Sequence, residues 1–109
     1  MFDLQIALRE NVESLKKIIN KRYAISVRRA KAEYAYRSAL GQAMATEKMN
    51  GMAATALYDY CRGYDHIAKL RQERDLAIAE ERWADEMVAY FKTEIRIASS
   101  QIEAERRGL

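Results

Sequence analysis

The last long stretch of the sequence, Asp65 to Arg107, constrains the fold more than any other part. Apolar or small residues recur there at Ile67, Leu70, Ala77, Ala84, Val88, Phe91, Ile95, Ala98 and Ile102. The steps are threes, fours and sevens, which is the seam of a helix that lies against another helix. No Pro and no Gly interrupts the stretch before Gly108. The rest of the chain must supply what this seam packs on.

The N-terminal half meets that requirement. From Phe2 to Lys48, residues Leu4, Leu8, Val12, Leu15, Ile18, Ile19, Ile25, Tyr36, Leu40, Ala43 and Met44 fall on one helical arc of roughly 140°. Asp3 is positioned as an N-cap, and Asn50-Gly51 is a turn pair that ends the run. An unbroken helix here would be about 65–70 Å long at 1.5 Å per residue. Its weak points are the β-branched stretch Tyr23–Val27 and Gly41, the latter costing roughly 1 kcal/mol in a helix interior. Between the two long helices, Thr55 is expected to cap a short one, Ala56 to Arg62, with Leu57, Tyr58 and Cys61 inward. Gly63 is expected to close it in the left-handed conformation, and Asp65 to cap the last helix. The fold class that follows is all-α: an antiparallel helical hairpin, long helix, short helix, long helix. One domain spans 1–109, with helices near 3–49, 55–62 and 65–107. A hairpin buries only one face of each helix, so the expected assembly is a homodimer forming a bundle, or a larger assembly, or a monomer whose seam is covered by a partner.

Composition agrees with this and narrows the function. Half of the 109 residues are apolar, there is no Pro, and the four Gly are far apart, a balance that favours helix over disorder. No run of about 18 apolar residues exists, so no membrane span is expected. Met1–Arg9 lacks the basic and apolar regions of a signal peptide. Cys61 is the single cysteine and reads as a small buried hydrophobe. The expected location is the cytoplasm.

The net charge is +3, unevenly placed: residues 1–54 hold ten Lys/Arg against five Asp/Glu, and residues 55–109 nine against eleven. No acid lies between Glu13 and Glu33, where Lys16, Lys17, Lys21, Arg22, Arg28, Arg29 and Lys31 cluster. Lys17, Lys21, Arg28 and Lys31 share one helical arc beside the apolar face, with Arg22 and Arg29 next to it. Such a stripe fits phosphates or an acidic partner surface, and equally a solvated face paired with acids of the C-terminal half. A second group lies within the seams. Arg22, Arg29 and Glu33 point into the apolar arc of the first helix, and Arg74 and Glu81 occupy seam positions of the last. Antiparallel packing predicts the pairs Arg29–Glu81 and Glu33–Arg74, either a polar layer in which removing one member of a truly buried pair would cost roughly 3–5 kcal/mol, or a binding site on an uncovered seam where these charges meet a partner.

Other chemistries find little support. Glu80, Glu81, Asp85 and Glu86 cluster, but no Glu-x-x-His spacing accompanies them, so no metal site is expected. The lone His66 reads as a surface residue at a helix start. No Gly-rich phosphate loop, no Gly-x-Ser-x-Gly and no Cys with a supporting His is present. No catalytic residue, no cofactor and no small-molecule substrate is expected. The aromatics Tyr34, Tyr36, Tyr58, Tyr60, Tyr64, Trp83, Tyr90 and Phe91 read first as packing residues, with Trp83, off the main seam, as an anchor for a second interface.

Four segments carry a family resemblance: Lys31–Arg37 (KAEYAYR), Gly51–Gly63 (GMAATALYDYCRG), Ile67–Asp75 (IAKLRQERD) and Phe91–Ile102 (FKTEIRIASSQI). Together they resemble small helical proteins encoded by phages and prophages of Gram-positive bacteria, over roughly residues 31–104. The resemblance implies a phage early-gene origin and a non-enzymatic helical scaffold, without assigning a biochemical role. In the turn, Gly63-Tyr64-Asp65 replaces a tighter Gly-Asp start. Three functions stay open at this point. One is contact with nucleic acid or a nucleoprotein complex through the basic helix face. Another is a protein–protein effector that inhibits a host defence or replication protein, such as a host nucleic-acid-binding protein targeted by an anti-CRISPR. The third is a small virion assembly or scaffold protein.

Overall fold

The computed structural model describes residues 3–108, and these form three helices: α1, Leu4–Met49; α2, Ala54–Arg62; and α3, Asp65–Arg106. Long, short and long helix make the all-helical hairpin that the seams require. α1 runs its 46 residues without interruption. Neither the β-branched stretch near Ile25 nor Gly41 breaks it, because seam contacts along the helix outweigh a propensity deficit of about 1 kcal/mol. Asp3 caps it: its Oδ1 accepts hydrogen bonds from the backbone N–H of Gln5 at 2.9 Å and of Ile6 at 3.2 Å.

The turn chemistry differs from expectation. The left-handed glycine is Gly51, at φ 94°, and not Gly63, which sits at φ −81°. The Gly51 N–H bonds to the Lys48 carbonyl at 3.1 Å and the Met52 N–H to the Glu47 carbonyl at 3.0 Å. This double closure satisfies two of the carbonyls that α1 leaves open. α2 starts two residues earlier than Thr55 predicts. Ala53 stands at its N-cap with no side-chain hydrogen bond, so Thr55 lies inside the helix. Asp65 is the first residue of α3 rather than its cap, and its carboxylate reaches Lys69 at 3.3 Å.

The hairpin divides into two compact units. One pairs Met1–Ala24 with Glu81–Leu109; the other is Ile25–Glu80. In the first, Ile18 from α1 and Ala84 and Ala98 from α3 are buried. In the second, the core is Tyr36, Leu40, Cys61 and Ile67, with Ala39, Ala43, Met44, Tyr64 and Leu70 packed on it. Leu57 and Cys61 form the inner face of α2 as read, but Tyr58 turns out to solvent and lies under the Arg62 guanidinium at 5.0 Å. No described polar or charged residue is fully buried.

Candidate binding surface

Ion pairs mark the register in each unit. In the first, Arg22 Nε meets Asp85 Oδ1 at 2.6 Å. In the second, Arg28 meets Glu80 at 2.8 Å, and Arg74 Nε stands 3.9 Å from Glu33. Arg74 also holds Asp75 at 2.9 Å, and its guanidinium lies over the Tyr36 ring at 4.4 Å. The hydrogen bond to Asp75, followed by burial acting the other way, leaves Arg74 with its pKa raised. Glu33 makes its shorter contact within its own helix, to Arg37 at 2.7 Å. Glu33 and Arg74 therefore do come together, as do two of the basic residues with acids of α3.

The polar layer is nevertheless not a buried one. Arg22, Arg29, Glu33, Arg74 and Glu81 are all partly exposed. Each helix of a hairpin has one main neighbour, which covers a narrower arc than the sequence pattern marks as interior. The 3–5 kcal/mol figure for a buried pair does not apply here, and the range for exposed pairs, about 0.2–1 kcal/mol, does. The same geometry exposes most of the aromatics read as packing residues: Tyr34, Tyr58, Tyr60, Trp83 and Tyr90 face solvent, while Tyr36 alone among the tyrosines is buried.

The basic stretch is split by its partners. Lys16 pairs with Glu13 at 3.5 Å, Arg22 with Asp85 and Arg28 with Glu80. Lys17, Lys21 and Lys31 are exposed and make no ion pair among the described residues. Lys17 and Lys21 belong to the first unit and Lys31 to the second.

Within the first unit the Arg22–Asp85 contact places the lysines relative to α3. A step back along α1 is a step forward along α3, since the helices are antiparallel. Lys17 is five residues before Arg22 and Tyr90 five after Asp85, so the two stand at one height. At 100° per residue, Lys17 and Lys21 turn roughly 100–140° away from Arg22, and Trp83, Met87, Tyr90 and Ile97 roughly 120–200° away from Asp85. Both sets thus face the flank opposite the ion pair. That flank carries Lys17 and Lys21, neither ion-paired among the described residues, with Trp83 and Tyr90, both about half exposed, and the carboxylates of Glu13 and Glu94 turned to the same side. The sequence marks Trp83 as an interface anchor and Tyr90 as a packing residue, but not Met87 or Ile97. The available signal was their spacing, seven residues from Trp83 to Tyr90 and seven more to Ile97.

A shallow groove of about 300 Å³ in the second unit is lined by Gln42, Thr46, Glu47, Tyr64 and His66. There the Tyr64 hydroxyl donates to Glu47 Oε1 at 2.7 Å, and this bond, with burial, raises the phenol pKa, the wrong direction for a base. His66 is exposed and stacks beside Tyr64 at 6.2 Å. Burial, with Glu47 nearby, raises the Cys61 thiol, so it is not an activated nucleophile. Among the described residues no cluster of three or more His, Cys, Asp or Glu is placed to hold a metal ion, and no helix is long and apolar enough to cross a membrane. No protein-family model, curated protein or solved structure matches the chain.

Proposed function

We propose that the chain is a non-enzymatic helical binding protein that contacts nucleic acid, alone or in a nucleoprotein complex, through exposed lysines of α1. The observation behind this is that Lys17 and Lys21, on the flank of the first unit that Trp83 and Tyr90 also face, are exposed and make no ion pair among the described residues. Unpaired lysines gain from phosphate without first losing an internal partner, and exposed aromatic rings offer bases a stacking surface. Lys31 adds a cation from the second unit. Arg22 and Arg28, already tied to acids, are supporting residues rather than contacts. The protein acts as a homodimer in the cytoplasm of the host cell, the setting that its resemblance to phage proteins implies.

A gel-shift titration against salt tests the reading. Binding is expected at low salt and falls steeply as salt rises. Lys17→Ala with Lys21→Ala should flatten the log–log salt slope by about 1.4 on single strands or 1.8 on duplex. Absence of binding at low salt, or a slope that the double variant leaves unchanged, overturns it.

A second reading has its own support. Tyr23 and Tyr34 are 80% and 75% exposed on the outer side of α1, one in each unit. Tyrosine is a favoured anchor at protein interfaces. On this reading the chain is an effector that inhibits a host defence or replication protein. Loss of a stoichiometric protein partner on Tyr23→Ala or Tyr34→Ala, with nucleic-acid affinity unchanged, would favour it over the first.

A further inference from the structure

In the second unit the last turns of α1 build a groove with the entry to α3. Ala39, Gln42, Ala43, Thr46 and Glu47 follow one another at steps of three and one, which puts them on one face of the helix. Tyr64, just before α3, and His66, in its first turn, complete the lining. The groove holds about 300 Å³, the lower end of the range for ligand pockets. A groove this small and shallow leaves much of a free small molecule in water. It suits a side chain that its own backbone holds in place.

Its charge is one-sided. Glu47 is half-buried and makes no ion pair among the described residues. Three and four residues away along the chain stand Ala43, Met44, Asn50 and Gly51, none of them charged, and Lys48 turns about 100° away around the helix. Other bases at this end are engaged, Lys69 with Asp65 at 3.3 Å and Arg62 over Tyr58 at 5.0 Å. The Tyr64 hydroxyl donates to Glu47 Oε1 at 2.7 Å and so holds the carboxylate in place. A carboxylate offers about four acceptor sites, and Tyr64 takes one. The field of Glu47 reaches beyond its own helix: after the hydrogen bond and burial it raises the Tyr64 phenol pKa, and after burial it raises the Cys61 thiol pKa. The Tyr64 and His66 rings lie nearly parallel, 6.2 Å between centroids, and aromatic faces attract cations.

We propose that this groove binds the guanidinium group of an arginine side chain carried by a partner peptide segment. Glu47 accepts its hydrogen bonds, and the Tyr64 and His66 rings offer faces on which it stacks. A guanidinium presents a planar fork of donors that matches a carboxylate and lies flat on an aromatic ring; an ammonium does neither. The aliphatic stem of the arginine packs on Ala39 and Ala43. A lone carboxylate repels phosphate, so this site is separate from the lysines of the first unit and does not rest on nucleic-acid binding.

The test is a titration of the full chain with the capped tripeptide acetyl-Gly-Arg-Gly-amide, followed by amide proton–nitrogen correlation spectra. Saturable shifts are expected at Thr46, Glu47, Tyr64 and His66. The same peptide with citrulline in place of arginine keeps the shape and loses the charge, and should bind roughly tenfold more weakly or worse. Glu47→Gln should weaken the arginine peptide by a similar factor. Its amide oxygen still accepts from the Tyr64 hydroxyl, so the tie between α1 and the entry to α3 survives, and circular dichroism checks the fold. The citrulline comparison on wild type decides the matter even if that variant misfolds. No saturation at millimolar arginine peptide, or equal affinity for the citrulline peptide, overturns the site. So does a folded Glu47→Gln that binds like wild type. A lysine peptide that binds as tightly overturns the guanidinium assignment, and free N-acetyl-arginine amide that binds as tightly overturns the peptide as its source.

Discussion

Arg22 Nε donates to Asp85 Oδ1 at 2.6 Å, joining residues 63 positions apart in the chain. The contact shows which residues of α1 and α3 stand level in the first unit, but its side chains are 40% and 53% exposed. Water competes for both charges, so the pair should contribute about 0.2–1 kcal/mol. A double-mutant cycle of Arg22→Ala and Asp85→Ala, read by denaturant unfolding, measures it. A coupling above 3 kcal/mol would show a far drier site than this one.

The turn after α1 depends on Gly51. At φ 94° a side chain meets backbone strain although nothing lies within 4 Å of a Cβ built there. Gly51→Ala should therefore cost about 1–2 kcal/mol through conformation alone. Gly41, inside α1 with equally open space, serves as the control: Gly41→Ala should stabilise by about 0.5–1 kcal/mol. Equal effects at both glycines would contradict the left-handed assignment.

Ile67 is fully buried among Tyr36, Leu40 and Cys61. Ile67→Ala removes buried methyl groups and leaves a cavity, for an expected loss of about 2–5 kcal/mol. Leu76, nine residues on and exposed, should tolerate Ala within about 0.5 kcal/mol. Chemical denaturation of the two variants side by side checks the contrast.

Alkaline pH should loosen the second unit through Tyr64. Its hydroxyl donates to Glu47, and ionising it would set a phenolate against a carboxylate, so its pKa is raised, first by this bond and then by burial. A raised folded-state pKa stabilises fully below the unfolded tyrosine value, about 10, and the stabilisation is lost as pH climbs toward the folded value. Cys61 shifts in the same direction. Thermal melts should show wild type losing stability above about pH 10 more steeply than Tyr64→Phe. Parallel curves for the two proteins between pH 9 and pH 11.5 would refute the assignment.

Much of the fold was legible because helical periodicity is local. The Asp3 cap, the turn at Asn50-Gly51 and the seam from Ile67 to Ile102 all follow from residues at most seven apart. Glu33 and Arg74 were matched correctly because antiparallel helices joined by a short connection have a nearly determined register. The candidate surface was less legible. Ile19 lies on the apolar arc of α1 yet is 51% exposed, and Arg28, read as part of a free stripe, is held by Glu80. A helical wheel gives the direction of a side chain but not the width of the neighbour that covers it.

The amino-acid sequence by itself determined the element order, the two facing seams and the abundance of helix, since each depends on spacing within a few turns. The tertiary structure alone decided which lysines stay free, that the polar layer is half wet, and that Lys17 stands level with Tyr90. Those outcomes depend on how residues far apart in the chain meet across the hairpin. That meeting is governed by which flank each ion pair occupies, and no local pattern encodes it.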